Sequence, residues 1–579
     1  MSTSFEISVE ISEEYDFTQK SLDERIQKNT WVKDQWPIVY FIQNDSSRPK
    51  KIAYIGESTN AYKRIKNHLE NPKRLELNKI IIIGSDKFNK SVTLDIESKL
   101  IKYLASEENY VLQNIAPGLI KHTYYQQEMY DNLFVEIWRK LAEKKIVTKT
   151  MSEIENSELF KYSPYKSLNT DQHNSIIEIL KALSKSDSNK IFISGSAGTG
   201  KTILAAYLIK LLTTNLDDVE SEDLNDEELI EVNFTKEFKN KYPKRKIGLV
   251  IAMTSLRKSL QYVFSKTPGL KASMVISPSE AFTQDKYDLL IVDESHRLRQ
   301  YKNIGWRGAF KKNNQKLGLD DSGNELDWII ANSKNQIFFY DSAQSVKPSD
   351  IHSSNFYNLI KAPNTINLEL KSQMRVKGGN DYIQFVDELL NLKREKKSKY
   401  NDDKYELLFF ESFKDFHKKL QKNEDEFKLC RIVAGYSWEW KSDPRKKPPT
   451  PDAVDIRIDN FQFQWNNTLE DWVNNPKDPN NPLKEIGCIH TVQGYDLNYT
   501  GVIFGNEIDY NSLTNAIEID STKYYDKYGK NDTSDEELKS YIINIYKTLM
   551  YRGIKGTYVY ACNKGLREYL KIYIKEFNE

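Results

Sequence analysis

The stretch that decides the fold is KIFISGSAGTGKT, residues 190–202, which runs directly into the apolar segment ILAAYLIKLL. An apolar strand leads into a glycine-rich turn, and a helix begins where the turn ends. This is the GxxxxGK[ST] pattern in the strand–turn–helix context typical of a phosphate-binding loop. Backbone N–H groups and the helix N-terminus bind the phosphates in such loops. The predicted nucleotide-binding residues are Gly195, Ser196, Ala197, Gly198, Thr199, Gly200, Lys201 and Thr202.

A second segment supplies the acidic groups that such a loop requires. The run YDLLIVDESH, residues 287–296, is an apolar strand that ends in Asp293 and Glu294. A carboxylate at a strand end can hold Mg²⁺ together with the hydroxyl of Thr202, and its neighbour can polarise the attacking water. Lys201 is expected to contact the β- and γ-phosphates. The expected cofactors are therefore ATP and Mg²⁺, with Asp293 and Thr202 as metal ligands and Glu294 as a catalytic residue.

Short apolar runs recur on both sides of this region, each bounded by turn or polar residues. The first series is KIFISG, KIGLVIAM, YDLLIVDE and NQIFFYDS, and the second is LCRIVAGY, EIGCIHTVQG, TGVIFG and GTYVYAC. Runs of this kind are typical of parallel strands covered on both faces. Two tandem α/β domains with parallel sheets are therefore predicted.

The first part of the chain has a different pattern. PIVYFI and KIAYIG read as two strands, followed by a helix from Asn60, the strand NKIIIIG and the helix VTLDIESKLIKYLAS. These elements predict a small α+β domain before the two α/β domains. The expected organisation is an N-terminal extension over 1–30, the α+β domain over 31–120, a helical connector over 121–159, and α/β domains over 160–350 and 351–579.

Composition limits the function only weakly. Apolar residues make up 39% and charged residues 29%, and the net charge is +1, so a polyanion would have to be held by local grooves. The three cysteines are widely spaced, which fits a reducing compartment. The acidic N-terminus lacks the order of a signal peptide, and every apolar run is too short to span a bilayer. A cytoplasmic protein without a membrane partner is expected.

Two segments interrupt the strand–helix pattern. The acidic run DDVESEDLNDEELIE, residues 217–231, is expected to be a solvated surface excursion. Residues 441–483 are rich in Pro, Asn, Lys and Asp and predict a long irregular loop with a strand or two. Just before that loop, Trp438 and Trp440 lie two residues apart. They could stack on nucleic-acid bases or pack as a core pair.

Five further motifs after residue 160 resemble those of superfamily 1 helicases. In chain order they are YSPYKSLNTDQHNSI, FYDSAQ, LKSQMR, IHTVQGYDLNYTGVI and LMYRGIKGTYVYAC. The resemblance is to the helicase family related to Schlafen group 3, and it implies two RecA-like domains. It assigns adenine recognition to Gln172, phosphate sensing to Gln344 and Arg375, and the arginine finger to Arg552. It also places Gln493, Gly494 and Asp496 at the nucleotide.

The α+β domain resembles the GIY-YIG nuclease family over about residues 36–118. The residues that match its motifs are Tyr40, Tyr54, Arg64, His68, Glu97 and Asn114, although Ile38 stands where the family has a glycine. The resemblance implies that Tyr40 acts as base or relay and that Arg64 and His68 stabilise the phosphate. Glu97 would hold one divalent ion, Mg²⁺ or alternatively Mn²⁺.

Together these motifs favour an ATP-dependent helicase coupled to a metal-dependent endonuclease. The expected partner is single-stranded or forked DNA, with RNA as the alternative. Two other hypotheses remain open: a nucleotide-driven switch that does not unwind its substrate, and a protein that only recognises nucleic acid. Defence against phage and DNA repair are the two candidate roles, and both rest on family analogy.

Overall fold

The computed structural model describes most of the chain. The described residues are 8–45, 50–114, 124–125, 127–186, 188–216, 226–283, 285–305, 307–341, 344–345, 347–445, 453–468, 471–531 and 533–578. The predicted end of the α+β domain near residue 117, the acidic residues 217–225 and two residues of FYDSAQ lie outside these ranges. Among the described residues, no helix combines the length and the apolar character needed to cross a bilayer.

The first 161 residues form six strands and seven helices among those described. The strands are β1 (Glu10–Ile11), β2 (Tyr15–Asp16), β3 (Ile38–Gln43), β4 (Lys51–Ser58), β5 (Lys79–Gly84) and β6 (Tyr110–Leu112). The helices are α1 (Gln19–Glu24), α2 (Thr30–Lys33), α3 (Ala61–Glu70), α4 (Lys90–Glu107), α5 (Gln127–Glu143), α6 (Met151–Asn156) and α7 (Glu158–Lys161).

The six strands form one sheet in which β3 is central. The order is β1-β5-β3-β4-β6, with β2 also paired to β5, and β3 runs antiparallel to both of its neighbours. Asn60 and Asn89 cap the N-termini of α3 and α4 with their side chains. The predicted connector helix α5 packs into the same core as α4, where Tyr103 contacts Phe134 and Trp138. The predicted α+β arrangement is confirmed.

Residues 170–370 form the next group of elements. The helices are α8 (Thr170–Lys185), α9 (Lys201–Thr213), α10 (Asp226–Lys241), α11 (Thr254–Lys266), α12 (Arg307–Lys316), α13 (Glu325–Ala331) and α14 (Ser353–Ile360). The strands are β7 (Lys190–Gly195), β8 (Ile247–Ile251), β9 (Val275–Ile276), β10 (Tyr287–Asp293), β11 (Ser333–Tyr340) and β12 (Thr365–Leu370).

These six strands form an all-parallel sheet in the order β12-β7-β11-β10-β8-β9. The phosphate-binding loop follows β7, Asp293 ends β10, and Asp341 follows β11. Because β11 lies between β7 and β10, all three segments meet at the carboxyl edge of the sheet. Ligands bind at this edge in open α/β sheets.

The last part of the chain forms a second parallel sheet. Its helices are α15 (Gly379–Leu390), α16 (Phe413–Phe427), α17 (Ile489–Val492), α18 (Lys527–Lys530), α19 (Asp535–Met550) and α20 (Lys564–Tyr573). The strands are β13 (Glu406–Phe409), β14 (Cys430–Ala434), β15 (Ile456–Ile458), β16 (Phe461–Trp465), β17 (Glu485–Gly487), β18 (Leu497–Phe504), β19 (Ile508–Asn511), β20 (Ala516–Ile519), β21 (Gly553–Ala561) and β22 (Lys575–Glu576). The sheet order is β15-β16-β17-β14-β18-β21-β13-β22, and only β15–β16 is antiparallel.

The contacts divide the chain into two compact units. The first contains residues 1–184, 202–243 and 260–274, and the second contains 185–201, 244–259 and 275–579. The two parallel sheets both lie in the second unit, whereas residues 202–243 and 260–274 of the first predicted α/β domain belong to the first unit. The exact domain boundaries given above stay predictions.

The described parts of the two interrupting segments contain regular secondary structure. The acidic run was expected to be solvated, but its last residues belong to α10, and Glu231 is fully buried. The hydroxyl of Tyr207 donates a 2.6 Å hydrogen bond to one oxygen of the Glu231 carboxyl, and the Nε2 of His173 lies 3.4 Å from the other. In the 441–483 loop, the two expected strands are β15 and β16, and β16 joins the main sheet.

Candidate functional site

The predicted phosphate-binding loop contains two glycines with positive φ angles. Gly198 and Gly200 have φ angles of 85° and 82°, a region that glycine enters without a steric penalty. The Nζ of Lys201 donates to the carbonyl oxygens of Gly195 (2.7 Å) and Ser196 (2.9 Å). The Thr199 hydroxyl also donates to the Ser196 carbonyl, at 3.0 Å. Lys201 thus lies inside its own loop, at the position from which it could reach bound phosphates.

Asp293 and Glu294 lie beside this loop at the end of β10. Asp293 is completely buried, and Glu294 has a left-handed backbone with φ of 51°. The Glu294 carboxylate lies 2.8 Å from Nε2 of His296. The Nδ1 of His296 accepts a 3.3 Å hydrogen bond from the Asp341 backbone N–H, so Nε2 carries the ring proton. Burial opposes ionisation of Glu294, but His296, Lys201 and Arg552 hold its pKa well below the usual range.

Asp341 connects the loop to Gln344. Its carboxylate lies 3.7 Å from the Nζ of Lys201 and accepts a 2.6 Å hydrogen bond from the Gln344 side chain. Gln344 is therefore oriented toward the same carboxylate that faces the phosphate-binding lysine. This geometry is compatible with the predicted phosphate-sensing role, which stays a prediction.

Several predicted motor residues lie at the amino ends of strands in the second parallel sheet or on the segment that leads to it. Asp496 and Arg552 directly precede the neighbouring parallel strands β18 and β21, and the Leu497 N–H donates to the Arg552 carbonyl at 3.0 Å. Arg375 forms an ion pair with Asp496. Arg552 is 2% exposed, and its Nε donates to the Thr548 carbonyl at 3.1 Å. The charge of Arg552 is one of the influences, after those of His296 and Lys201, that lower the pKa of the Glu294 carboxyl.

Gln493 and Gly494 occupy the turn between α17 and β18. Gly494 has a φ of 93°, and an added Cβ would approach Leu256 at 3.3 Å. Gln493 is 1% exposed, and neither polar atom of its amide has a hydrogen-bond partner within the described ranges. A buried amide without partners favours a ligand contact at this position.

For the two remaining predicted motor residues, Gln172 and Thr202, the structure gives less information about their roles. Gln172 is buried at the start of α8, where its side chain accepts from the Asn169 N–H at 3.1 Å. Thr202 is the second residue of α9. Both belong to the first compact unit, whereas Lys201 belongs to the second. Their nucleotide and metal contacts therefore stay predictions.

Trp438 and Trp440 are half-buried side chains at the edge of the second core. Both pack against the apolar cluster on one face of the second parallel sheet. Trp440 contacts Trp465 with ring centroids 6.1 Å apart, and the guanidinium of Arg445 lies 4.8 Å above its ring. These contacts favour the packing alternative over a free stacking surface.

The α+β domain brings together the tyrosine–histidine cluster, which we define as Tyr40, Tyr54, Arg64 and His68. The Tyr40 hydroxyl and the Nε2 of His68 share a 2.8 Å hydrogen bond, and both side chains are buried. Burial, with Arg64 and Arg74 nearby, lowers the pKa of His68 to about 3. Burial also raises the pKa of Tyr40, which Arg64 partly offsets through a hydrogen bond and its charge. Arg64 donates to the Tyr40 oxygen, so Tyr40 can donate its own proton to the neutral His68.

Tight packing fixes this cluster. An added Cβ on Gly56 would lie 2.2 Å from the Tyr40 hydroxyl oxygen, so only glycine allows β4 to pass this ring. Tyr54 packs edge-on against His68 with centroids 4.8 Å apart. The guanidinium of Arg74 lies 3.9 Å above the Tyr54 ring. Contacts therefore connect Tyr40, Tyr54 and His68 beside the β3–β4 pair, whereas their predicted nuclease roles stay predictions.

Glu97 lies near this cluster on α4 and is the predicted metal ligand. Burial raises its pKa to about 8, with a further contribution from the Glu57 carboxylate. A bound cation would remove both penalties on the charged form. The described residues contain no group of three or more His, Cys, Asp or Glu side chains arranged around a metal position. Mg²⁺ can bind through one or two carboxylates and keep several waters, so Glu97 as a ligand stays a prediction.

Asn114 has a different position from the one expected of a catalytic group. Its Oδ1 accepts from the Ile55 N–H at 3.0 Å, and its Nδ2 donates to the Ile55 carbonyl at 2.8 Å. Ile55 lies on β4 between Tyr54 and Gly56, two motif residues. Asn114 thus holds the strand that carries them, and a direct catalytic role for it stays a prediction.

Three contacting residues were not identified from the sequence. His296 orients Glu294, Asp341 joins Lys201 to Gln344, and Arg74 stacks on Tyr54. The first two lie within the motifs DESH and FYDSAQ, so their spacing could have indicated them. Arg74 belongs to a turn after α3 and matches no motif; only the fold places it here.

Two solved helicase structures have limited similarity to this chain. One is titled "Structural Basis for DNA Unwinding at Forked dsDNA by two coordinating Pif1 helicases", with 11% identity and a TM-score of 0.25 over 69% of this chain and 94% of that chain. The other is titled "Complex structure of Arterivirus nonstructural protein 10 (helicase) with DNA", with 9% identity and a TM-score of 0.26 over 68% of this chain and 65% of that chain. At these TM-scores neither similarity establishes a common fold.

Sequence comparison gives a clearer result. An uncharacterized protein of Saccharomyces cerevisiae is 27% identical over 309 residues, which cover 49% of this chain and 64% of the yeast protein. The match therefore spans less than two thirds of that relative's own length. The family model described as Schlafen group 3, DNA/RNA helicase domain, matches residues 188–563, well over half of the chain. This range contains the phosphate-binding loop, both acidic residues and both site arginines, and the chain belongs to the Schlafen group 3 DNA/RNA helicase domain family.

Proposed function

We propose that the chain is an ATP-dependent motor that moves along or separates nucleic acid. The observation that carries this proposal is that Glu294 lies within electrostatic reach of both Lys201 and Arg552. The three residues come from the phosphate-binding loop, the end of β10 and the amino end of β21, and Lys201 and Arg552 both hold the pKa of Glu294 down. A lysine, an ionised carboxylate and an arginine from a second sheet are the groups that phosphoryl transfer to water requires.

The chemistry follows from where each group lies. Glu294, held ionised and oriented by His296, can orient and polarise a water for attack on the terminal phosphate. Mg²⁺ would supply charge neutralisation at the phosphates, and the buried Asp293 with the Thr202 hydroxyl are the residues proposed to hold it. Arg552 can offset the developing negative charge, an effect worth roughly 10³–10⁵ in rate for arginine fingers. Arg375 can exchange its ion pair with Asp496 for a phosphate contact.

The test is ATP hydrolysis with and without single-stranded DNA and RNA. Lys201→Ala should abolish hydrolysis, because its amine is the cation inside the loop. Lys361→Ala is the matched control, since Lys361 is an exposed lysine at the end of α14. Equal hydrolysis by both variants would refute the proposal. Hydrolysis that no nucleic acid stimulates and that displaces no strand would favour the nucleotide-driven switch.

We further propose that the α+β domain cleaves phosphodiester bonds with a divalent ion. Tyr40, His68 and Arg64 form a hydrogen-bonded group near Glu97, and the pKa of this carboxyl is raised to about 8 by burial. A carboxylate near an arginine and a tyrosine–histidine pair can hold an ion, a phosphate and a nucleophilic water. DNA is the proposed substrate and RNA the alternative.

The test is cleavage of plasmid, single-stranded and forked DNA, and of RNA, with Mg²⁺ or Mn²⁺. Glu97→Gln should abolish cleavage, whereas Glu70→Gln should not, because Glu70 is exposed at the end of α3. No cleavage of any substrate by the wild-type protein would make this domain a recognition module. Loss of cleavage in Lys201→Ala would indicate that the motor drives the nuclease. Defence and repair stay predictions until a substrate is known.

A further inference from the structure

Gln373 connects the phosphate-binding loop to the segment that carries Arg375. Its Nε2 donates a 2.5 Å hydrogen bond to the Ala197 carbonyl in the loop. Its Oε1 accepts a 2.8 Å hydrogen bond from the Arg375 backbone N–H. One side-chain amide therefore joins the loop to the backbone of the arginine that follows two residues later.

A second contact strengthens this connection. The Met374 N–H donates to the Gly198 carbonyl at 2.9 Å, so two consecutive residues dock on two consecutive loop carbonyls. An added Cβ on Gly198 would lie 2.0 Å from the Gln373 Oε1. Gly198 thus has two reasons to be glycine: its φ of 85° and the close approach of this amide.

The other end of the segment contacts the second parallel sheet. Arg375 pairs with Asp496, which directly precedes β18, and Lys377 N–H donates to the Ile554 carbonyl on β21 at 2.9 Å. The segment from Gln373 to Lys377 is therefore fixed to the loop at one end and to the second sheet at the other. Gln373 is thus the side chain that connects the loop carbonyl of Ala197 to the backbone of Arg375.

We propose that Gln373 is a positioning residue for ATP hydrolysis, which sets the place of Arg375 relative to the phosphates without contacting them. This inference rests on the proposed ATPase function and specifies how its two sheets are coupled. Gln373 contacts a carbonyl group of the loop. We therefore expect its replacement to lower the rate of ATP turnover and to leave the affinity for ATP nearly unchanged. The amide N–H groups that face the phosphates are not its partners.

The variant that tests this inference is Gln373→Met, which keeps the side-chain length and removes both hydrogen bonds. We expect kcat for ATP to fall about tenfold, equivalent to ~1.4 kcal/mol. KM and the dissociation constant of a non-hydrolysable ATP analogue should change less than about threefold. Gln384→Ala is the matched control, because Gln384 is an exposed glutamine on α15 that bonds only Glu388 among the described residues.

A double-variant cycle with Arg375→Ala decides whether Gln373 acts through the arginine. If it does, Gln373→Met should change kcat less than about twofold when Arg375 is already absent, a clear departure from additivity. Additive losses of kcat in the double variant, or a raised KM with unchanged kcat in Gln373→Met, would overturn the inference. In that case, ATP hydrolysis by the wild type would still support the ATPase proposal. A wild-type protein that never hydrolyses ATP would overturn both. Circular dichroism and thermal unfolding of each variant identify any loss caused by misfolding.

Discussion

Asn114 is the residue for which the sequence and the structure suggest different roles, so its replacement is informative. Its side chain bonds both backbone groups of Ile55, at 3.0 Å to the N–H and 2.8 Å from Nδ2 to the carbonyl, and it is 9% exposed. Beyond Ala53, β4 has no pairing to β6, so Asn114 occupies the place of a neighbouring strand. We predict that Asn114→Ala loosens β4 at the residues that carry Tyr54 and Gly56.

The magnitude follows from the groups left without partners. An unsatisfied buried donor or acceptor costs about 1–3 kcal/mol, less where water can enter. A local loss of ~1–3 kcal/mol corresponds to roughly 5- to 150-fold faster exchange of the Ile55 amide hydrogen. Asn114→Asp should fall between the wild type and the alanine variant, because a carboxylate can still accept from the Ile55 N–H but cannot donate to its carbonyl.

The assay is hydrogen exchange by mass spectrometry on peptides that cover β4, combined with cleavage activity. Asn67→Ala is the control, since Asn67 is a half-exposed asparagine of α3 with no hydrogen bond among the described contacts of its side chain. Exchange at β4 should accelerate only in the Asn114 variants. Unchanged exchange together with lost cleavage would refute the positioning account and support the direct catalytic role that the motif implies.

Three further predictions concern both sites. Gly56→Ala should cost about 1–3 kcal/mol in thermal unfolding and abolish cleavage, because the new methyl group overlaps the Tyr40 hydroxyl; unchanged activity would contradict the packing. Because the pKa of Glu97 is about 8, this carboxyl is mostly protonated at neutral pH and must lose its proton to bind an ion. Mn²⁺ affinity measured by calorimetry should therefore rise about tenfold per pH unit up to ~8 and then level off, and a flat profile would contradict the assignment. Arg552→Ala should lower kcat for ATP by roughly 10³ with little change in nucleotide affinity. If Arg552 were purely structural, its replacement would instead lower the melting temperature and would not affect kcat more than nucleotide affinity.

The strands of both parallel sheets were largely predictable, because covered strands leave continuous apolar runs. YDLLIVDE and NQIFFYDS became β10 and β11 within a residue or two. The strand β12 was missed for a physical reason. TINLEL lies at the sheet edge, and only its last residue is buried, so no apolar run marks it.

The acidic run shows a different limit of sequence reasoning. A carboxylate such as Glu231 is usually exposed, and its neighbours in the sequence are also acidic. Its burial depends on a hydrogen bond from Tyr207, on another helix, which no local pattern indicates. The same holds for Gln373, whose partner Ala197 is far away in the sequence.

At both candidate sites, the motifs indicated the main residues but not the residues that contact them. The resemblance to helicases assigned Lys201, Glu294 and Arg552 to one nucleotide site, and the charges of Lys201 and Arg552 lower the pKa of Glu294; their common role stays a prediction. Motif spacing also gathered Tyr40 and His68, which share a hydrogen bond. The sequence could not identify the residues that contact the predicted site residues, such as His296, which contacts Glu294. Such contacts depend on which strands end next to each other at the sheet edge.

The measurement that tests the central claim most directly is ATP-dependent strand displacement on forked DNA and RNA duplexes by the wild type and Arg552→Ala. A motor whose nucleotide site is completed by Arg552 should separate at least one of these duplexes only with ATP, and the variant should lose this activity while still binding nucleotide. Wild-type protein that hydrolyses ATP but separates no duplex, or a variant that separates strands as fast as the wild type, would contradict the account.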